Sequence, residues 1–334
     1  MDGRSNVGIK KAEKVLCMVL AMLMAIVITI NVSAGESISK AKIDEYLYTI
    51  AYSQQEQVKE PIYGSIDGEW NIIGLARYGA VTKDYISKYK ENLLKEVKAK
   101  DGVLSTRKYT EYSRVVIALT SIDENPTNFG GYNLLKPLAE FENVNKQGIN
   151  GSIYALIAIH SSNYKIPKPD KNYTGEVTTV KKLIEYIIKN QNSDGGWSMA
   201  DKSECDITAM AVQALSFYYT GSDKSVKKSV DKALKFLSRQ QNNDGGYSAE
   251  GISNCESTAQ VLMAISALNI NIEDSRFVKN GNTVLNGLLD YYSNGKFSHT
   301  KNGGYNHMAT EQGFCALTAY YRSLTIMNGF YDMA

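Results

Sequence analysis

Two stretches decide the fold: Gln191-Asn192-Ser193-Asp194-Gly195-Gly196-Trp197-Ser198 and Gln241-Asn242-Asn243-Asp244-Gly245-Gly246-Tyr247-Ser248. They are nearly identical and lie 50 residues apart. The offset persists downstream in Cys205 and Cys255, Asp206 and Glu256, and Thr208-Ala209 and Thr258-Ala259. Upstream it pairs Tyr186-Ile187 with Phe236-Leu237. A weaker third copy keeps the offset at Gly295-Lys296-Phe297-Ser298, and after a two-residue insertion Thr310 takes the place of Thr258. Self-similarity at a fixed period marks a repeat architecture.

Each unit reads as two helices. Apolar residues at 180, 183, 184, 187 and 188 follow a helical period, with Lys181, Lys182, Glu185 and Lys189 on the other face. The Asp-Gly-Gly run stops that helix. The next helix starts near Asp206 and is apolar nearly all round, which implies burial on most faces. Alternating solvent-facing and buried helices describe two concentric layers. Inner helices are predicted at 70–78, 112–121, 150–159, 206–219, 256–268 and 308–324. Their outer partners are predicted at 43–57, 84–99, 134–142, 180–190, 226–241 and 283–292. Pro167 and Pro169 fall in a long surface connection, 165–175. Six pairs can close into a ring or wind into an open superhelix. An open array needs polar capping repeats, and neither terminal pair looks like one.

The chain has 334 residues, 43% of them hydrophobic, with Lys+Arg 37 against Asp+Glu 35. This excludes disorder, and a net charge of +2 gives no electrostatic footprint for nucleic acid. All of that net charge sits in the first 34 residues. Lys10, Lys11 and Lys14 precede an apolar run from Val15 to Ile28, and Val32-Ser33-Ala34 places small residues before a polar chain. The pattern is that of a secretory signal cleaved near Ala34, with an uncleaved anchor as the alternative. Residues 35–334 are then one domain, formally neutral, with no further membrane span. They carry three cysteines, Cys205, Cys255 and Cys315, and their expected place is secreted or on the cell surface.

The two Gln-x-x-x-Gly-x-Trp/Tyr segments, ending at Trp197 and Tyr247, resemble the glutamine–aromatic repeat of squalene and oxidosqualene cyclases and of protein prenyltransferase β-subunits. Glu69-Trp70 with Leu75–Gly79, Asn128–Leu135 and Gln147–Gly151 resemble secreted bacterial proteins that carry this domain. The resemblance covers about residues 45–325. It implies an all-α fold, an (α/α)6 toroid of six helical hairpins. It does not fix an activity, because one fold hosts many. The glutamines and aromatics also have a plain structural reading, as helix-end hydrogen-bonding groups and packing anchors.

Alignment on Thr208, Thr258 and Thr310 puts Cys205, Cys255 and His307 at equivalent positions. Cysteine and histidine are the usual zinc ligands, and protein prenyltransferases resemble this arrangement. Their Asp two residues before the Cys is replaced here by Ser253. Without zinc, the two cysteines are small apolar fillers; helix spacing of about 8–10 Å is too wide for a disulfide. A carbocation cyclase needs a carboxylic acid kept protonated in an apolar cavity. Asp206 and Glu256 are the candidate acids, although Ile207 replaces the last Asp of the cyclase motif. The alternative is that both acids favour helix N-termini. Trp70, Tyr154, Tyr218 and Tyr320 are candidate cavity walls. His160 reads as a core histidine. Only Arg77, Arg107 and Arg114 lie near inner helices, a thin basis for a diphosphate site. The expected function is a binding or scaffold module, for a hydrophobic small molecule in the cavity or a cell-surface protein or glycan at the rim. The runner-up is an isoprenoid enzyme, a terpene cyclase or a zinc-dependent prenyltransferase.

Overall fold

The computed structural model describes residues 38–334; the predicted export signal lies outside the described residues. Among the described residues no helix is long and apolar enough to cross a membrane. Twelve α-helices among the described residues carry the fold. The outer set is α1 (Lys40–Gln57), α3 (Lys83–Ala99), α5 (Phe141–Val144), α7 (Val180–Lys189), α9 (Lys224–Gln240) and α11 (Val284–Leu289). The inner set is α2 (Trp70–Tyr78), α4 (Thr110–Ser121), α6 (Ile149–His160), α8 (Cys205–Ser216), α10 (Cys255–Ala267) and α12 (His307–Ser323).

The inner helices form a closed ring of parallel neighbours. At the N-terminal end, Cys255 Sγ points to the Ala309 carbonyl. At mid-height, Tyr154 meets Met210 Sδ at 3.2 Å and Gln260 donates to Gln312 at 3.1 Å. At the C-terminal end, an Arg322 Nη1 donates to the Arg77 carbonyl. The last helix closes on the first: Cys315 Sγ faces the Trp70 carbonyl, and a Cβ at Gly74 would come within 2.8 Å of Phe314. Gly74 therefore sets how tightly the ring shuts.

The repeat residues are the ring's fasteners. Thr208, Thr258 and Thr310 each accept, at Oγ1, the backbone N–H of the aromatic residue eleven or thirteen positions earlier: Trp197, Tyr247 and Phe297. All three aromatic side chains are fully buried. The third, degraded copy thus keeps the structural role of the first two. Gln191 donates to Gly195 O and to Ser229 O of α9; Gln241 donates to Gly245 O and to Phe277 O of the next unit. Each glutamine ties its own loop to the following repeat. Gly245, at φ +86°, lies so close to the Thr283 carbonyl that no side chain fits there.

The helical expectation holds for five outer positions and is broken at the third. Residues 134–142 form a 3-10 turn (Lys136–Ala139) and then the four-residue α5. Pro137 supplies no N–H and favours a helix start rather than an interior. Three short antiparallel hairpins lie in the loops: Tyr247–Ala249 with Ile252–Asn254, Val278–Lys279 with Asn282–Thr283, and Tyr292–Ser293 with Lys296–Phe297.

Candidate functional site

The ring has two mouths, and both carry charge. At the N-terminal mouth the loop before α2 turns inward between α4 and α12. Asp67 sits in left-handed conformation at φ +57°, and its neighbour Gly68 has no room for a side chain against the Ile62 carbonyl. This turn delivers two carboxylates. Glu69 is fully buried and accepts from Arg114 Nε at 2.8 Å, from Gly64 N and from Tyr89 OH. Burial pushes its carboxyl up, and the Arg114 guanidinium pulls against that. Asp67 Oδ1 meets His307 Nδ1 at 2.6 Å, and Asp67 N donates to Glu311 Oε1 at 2.7 Å.

Glu311 is the chemically distinct member. It is 1% exposed. Burial first, and the charges of Asp67 and Glu69 next, push its pKa up to about 8 despite the Asp67 N–H. It is a carboxylic acid kept protonated at neutral pH. Sequence reasoning missed it. Its signal is position: Glu311 directly follows Thr310, where the other two copies carry Ala209 and Ala259.

A second carboxylate–histidine pair lies further round. Glu256 Oε2 meets His299 Nδ1 at 2.7 Å, while Glu256 Oε1 is buried without a partner. Asn254, not Glu256, caps α10, accepting from Ser257 N. Asp206 stands in the first turn of α8 and accepts from Ile207 N. Asp206 and Glu256, the candidate acids, line neither of the cavities described below.

The zinc trio does not assemble. Among the described residues no group of three His, Cys, Asp or Glu is placed to hold a metal ion. Cys205, Cys255 and Cys315 are buried free thiols. Burial pushes Cys205 up to about 12 and Cys255 up as well. Cys255 Sγ points to a backbone carbonyl, and His307 is held by Asp67. These residues do not fit a zinc ion, so no chemistry is derived through one.

Along the ring axis lies a cavity of only about 50 Å³, lined by Trp70, Tyr154, Met210, Gln260, Gln312 and Tyr331 among others. The Trp70 and Tyr154 rings are 5.8 Å apart. Trp70 and Tyr154, two of the expected wall residues, line this small cavity. Tyr218 and Tyr320 line neither cavity. α8 ends at Ser216, earlier than expected, which leaves Tyr218 edge-on to His160 at 5.7 Å. Tyr320 is buried within the hydrophobic core. His160 stacks on Phe217 at 3.8 Å, as a packed core histidine does.

The C-terminal mouth holds a cavity of about 350 Å³, larger than the axial one but smaller than an open, charged groove of about 610 Å³ lined by Arg107, Lys108, Glu111 and Lys146. Phe217, Met263, Ala319, Met327 and Phe330 give it apolar walls; Gln213, Ser266 and Arg322 add polar ones. Thr325, Ile326 and Met327, with Gly329 to Asp332, form its outer side.

The family model described as the prenyltransferase alpha-alpha toroid domain matches residues 97–310. No curated protein matches the chain. The matched span begins in α3 and stops one residue before Glu311, so Asp67, Glu69, Arg77 and the C-terminal-mouth residues from Ala319 to Asp332 lie outside it.

Proposed function

We propose, from the premise that the chain belongs to the prenyltransferase alpha-alpha toroid family, that this member is an exported binding module. Its ligand is a small, mostly apolar molecule seated at the C-terminal mouth of the ring. One observation carries the reading: the size and place of the cavities. About 350 Å³ is near the lower end of the range of about 300–1,000 Å³ typical of small-molecule sites. Its lining is mixed in the usual way, apolar walls with a few polar groups. The axial cavity, about 50 Å³, holds no more than a water or two. A long isoprenoid chain has no room on the axis.

The chemistry supports binding over turnover. Glu311, with its pKa pushed up to about 8, is an acid of the kind a cyclase would need, but it is committed to Asp67 N and lines neither cavity. Export rests on the basic and apolar pattern of residues 1–34.

The test is to purify the protein from the culture medium of its natural host and identify copurifying molecules by mass spectrometry. Each is then added back in a thermal-shift assay. The reading expects a small apolar ligand that raises Tm in the full-length fold, and loss of that shift in Ala319→Trp, which fills the cavity. Turnover of squalene or a prenyl diphosphate would overturn it in favour of the isoprenoid enzyme.

A further inference from the structure

The segment after α12 folds back over the C-terminal mouth. Phe330 and Tyr331 are each 6% exposed. Tyr331 lies near Tyr154 and Cys315, deep on the axis. Tyr331 and Met263 line both cavities, so together they are the partition between them. The hinge side is different: Leu324, Ile326 and Met327 are exposed, Ile326 completely. This stretch is not packed into the core, and it leaves apolar side chains in water while the tail is seated.

Two arginines fasten the tail, together with the Met333 N–H, which donates to Ser161 O at 2.8 Å. Arg77 Nη2 donates to Gly329 O and Asp332 O, both at 2.8 Å. Arg322 Nε donates to Asn328 O, and its Nη1 to Arg77 O. Guanidinium groups are suited to carboxylate and phosphate, which they grip bidentately. Among the described residues, arginine–carboxylate ion pairs form only at Arg114–Glu69 and Arg276–Asp274. Arg77 and Arg322 are partly buried neighbours served by neutral carbonyls, and Arg77 Nε is buried without any partner. Asp332 and Asp123 act on Arg77 through space without forming an ion pair. Two adjacent cations with an unused buried donor form a site short of an anion.

We propose that Phe330-Tyr331 is a tethered occupant of the ring axis, displaced by an amphiphile whose anionic head engages Arg77 and Arg322 while its apolar chain takes the space of the Tyr331 ring. Removing the partition joins the two cavities, so the bound chain is longer than either alone could hold. The anion replaces backbone carbonyls at the arginines, and the tail carbonyls it frees pass to water. This inference rests on the binding reading above and adds the head group and the competitor.

The experiment uses the full chain and three probes: decanoate, decyl phosphate and uncharged decanol. Binding is measured by calorimetry, and tail protection by hydrogen exchange of residues 328–333. Decanoate or decyl phosphate is expected to bind, and the tighter of the two identifies the head group. Exchange in the tail should rise by about 5-fold or more at saturation, as expected for a segment driven open. Phe330→Ala with Tyr331→Ala should tighten binding by roughly 10-fold, because a self-occupied site lowers apparent affinity by the fraction of time it is open. Anion binding with tail protection unchanged or increased overturns the inference, and so does weaker binding by the double variant. Decanol binding alone, with the tail still protected, also overturns it but leaves the binding reading standing. No binding by any probe, to either protein, sinks both. The exchange measurement on the wild-type chain decides even if the double variant does not fold.

Discussion

The two mouths of the ring solve the same problem, charged side chains at the end of a buried bundle, in opposite ways. At the N-terminal mouth side chains meet side chains: Arg114 pairs with the buried Glu69, and His307 hydrogen-bonds Asp67, across elements far apart in sequence. At the C-terminal mouth Arg77 and Arg322 meet backbone carbonyls of a peptide segment. A charge pair in a buried site is hard to break, because either partner alone is left in a poor solvent. A carbonyl contact at a wet rim can pass to water at little cost. The first arrangement therefore locks, and the second can open.

The sharpest way to break this comparison is Arg114→Met. It leaves the fully buried Glu69 without its cation and should cost about 3–5 kcal/mol in urea unfolding. A loss below about 1 kcal/mol would mean that the N-terminal mouth is no more locked than the other.

Glu311 comes next. Between its ordinary value near 4.5 and its raised value of about 8, the folded chain keeps a proton that the unfolded chain has released. Its contribution to stability is complete below pH 4.5, falls as pH rises through that window, and is level above it. Glu311→Gln cannot ionise, yet keeps an oxygen for Asp67 N–H. It should flatten the decline of Tm between pH 5 and 8 and stabilise the protein at pH 8, by an amount on the order of a few kcal/mol. Parallel pH profiles for the two proteins would assign the decline to other groups.

Thr258→Val probes the ring between its mouths. It strands the buried Tyr247 N–H and should cost about 1–3 kcal/mol. Thr310→Val should cost as much if the degraded third copy is structurally complete; equilibrium unfolding of both variants compares them. Arg77→Gln gives the smallest effect, about 1 kcal/mol or less, because the carbonyls it abandons can reach water. Hydrogen exchange should quicken in residues 328–333 and stay unchanged in α10. If α10 also quickens, the tail is part of the ring's frame.

Much of the architecture was readable from the residues. The inner helices follow from apolar runs, and their observed limits differ from the expected ones by three residues at most. The Gln and Thr positions of the repeat proved to be hydrogen-bonding fasteners, so their recurrence has a physical cause. The third outer position was misread because Leu134, Leu135 and Leu138 suggest a helix while Pro137 forbids its interior. Within the site, the first-turn positions of Asp206, Glu256 and His307 were readable, but their partners were not. Asp67 reaches His307 across 240 residues, and only ring closure brings them together. The tail has no periodicity to read, and Arg322 looks like an ordinary helix-end cation until Asn328 O is seen against it.

The closure of α12 on α2 also bears on how the chain acquires its fold. A growing toroid exposes the apolar flank of α2 until the last helix arrives, so every intermediate before α12 carries an uncovered edge. Such species are aggregation-prone, and contacts between the chain's extremes form slowly. A chain cut short within α12 would lose far more than its share of contacts. For an emerging polypeptide, closure of the ring has to wait until α12 has been made, because only α12 covers the flank of α2.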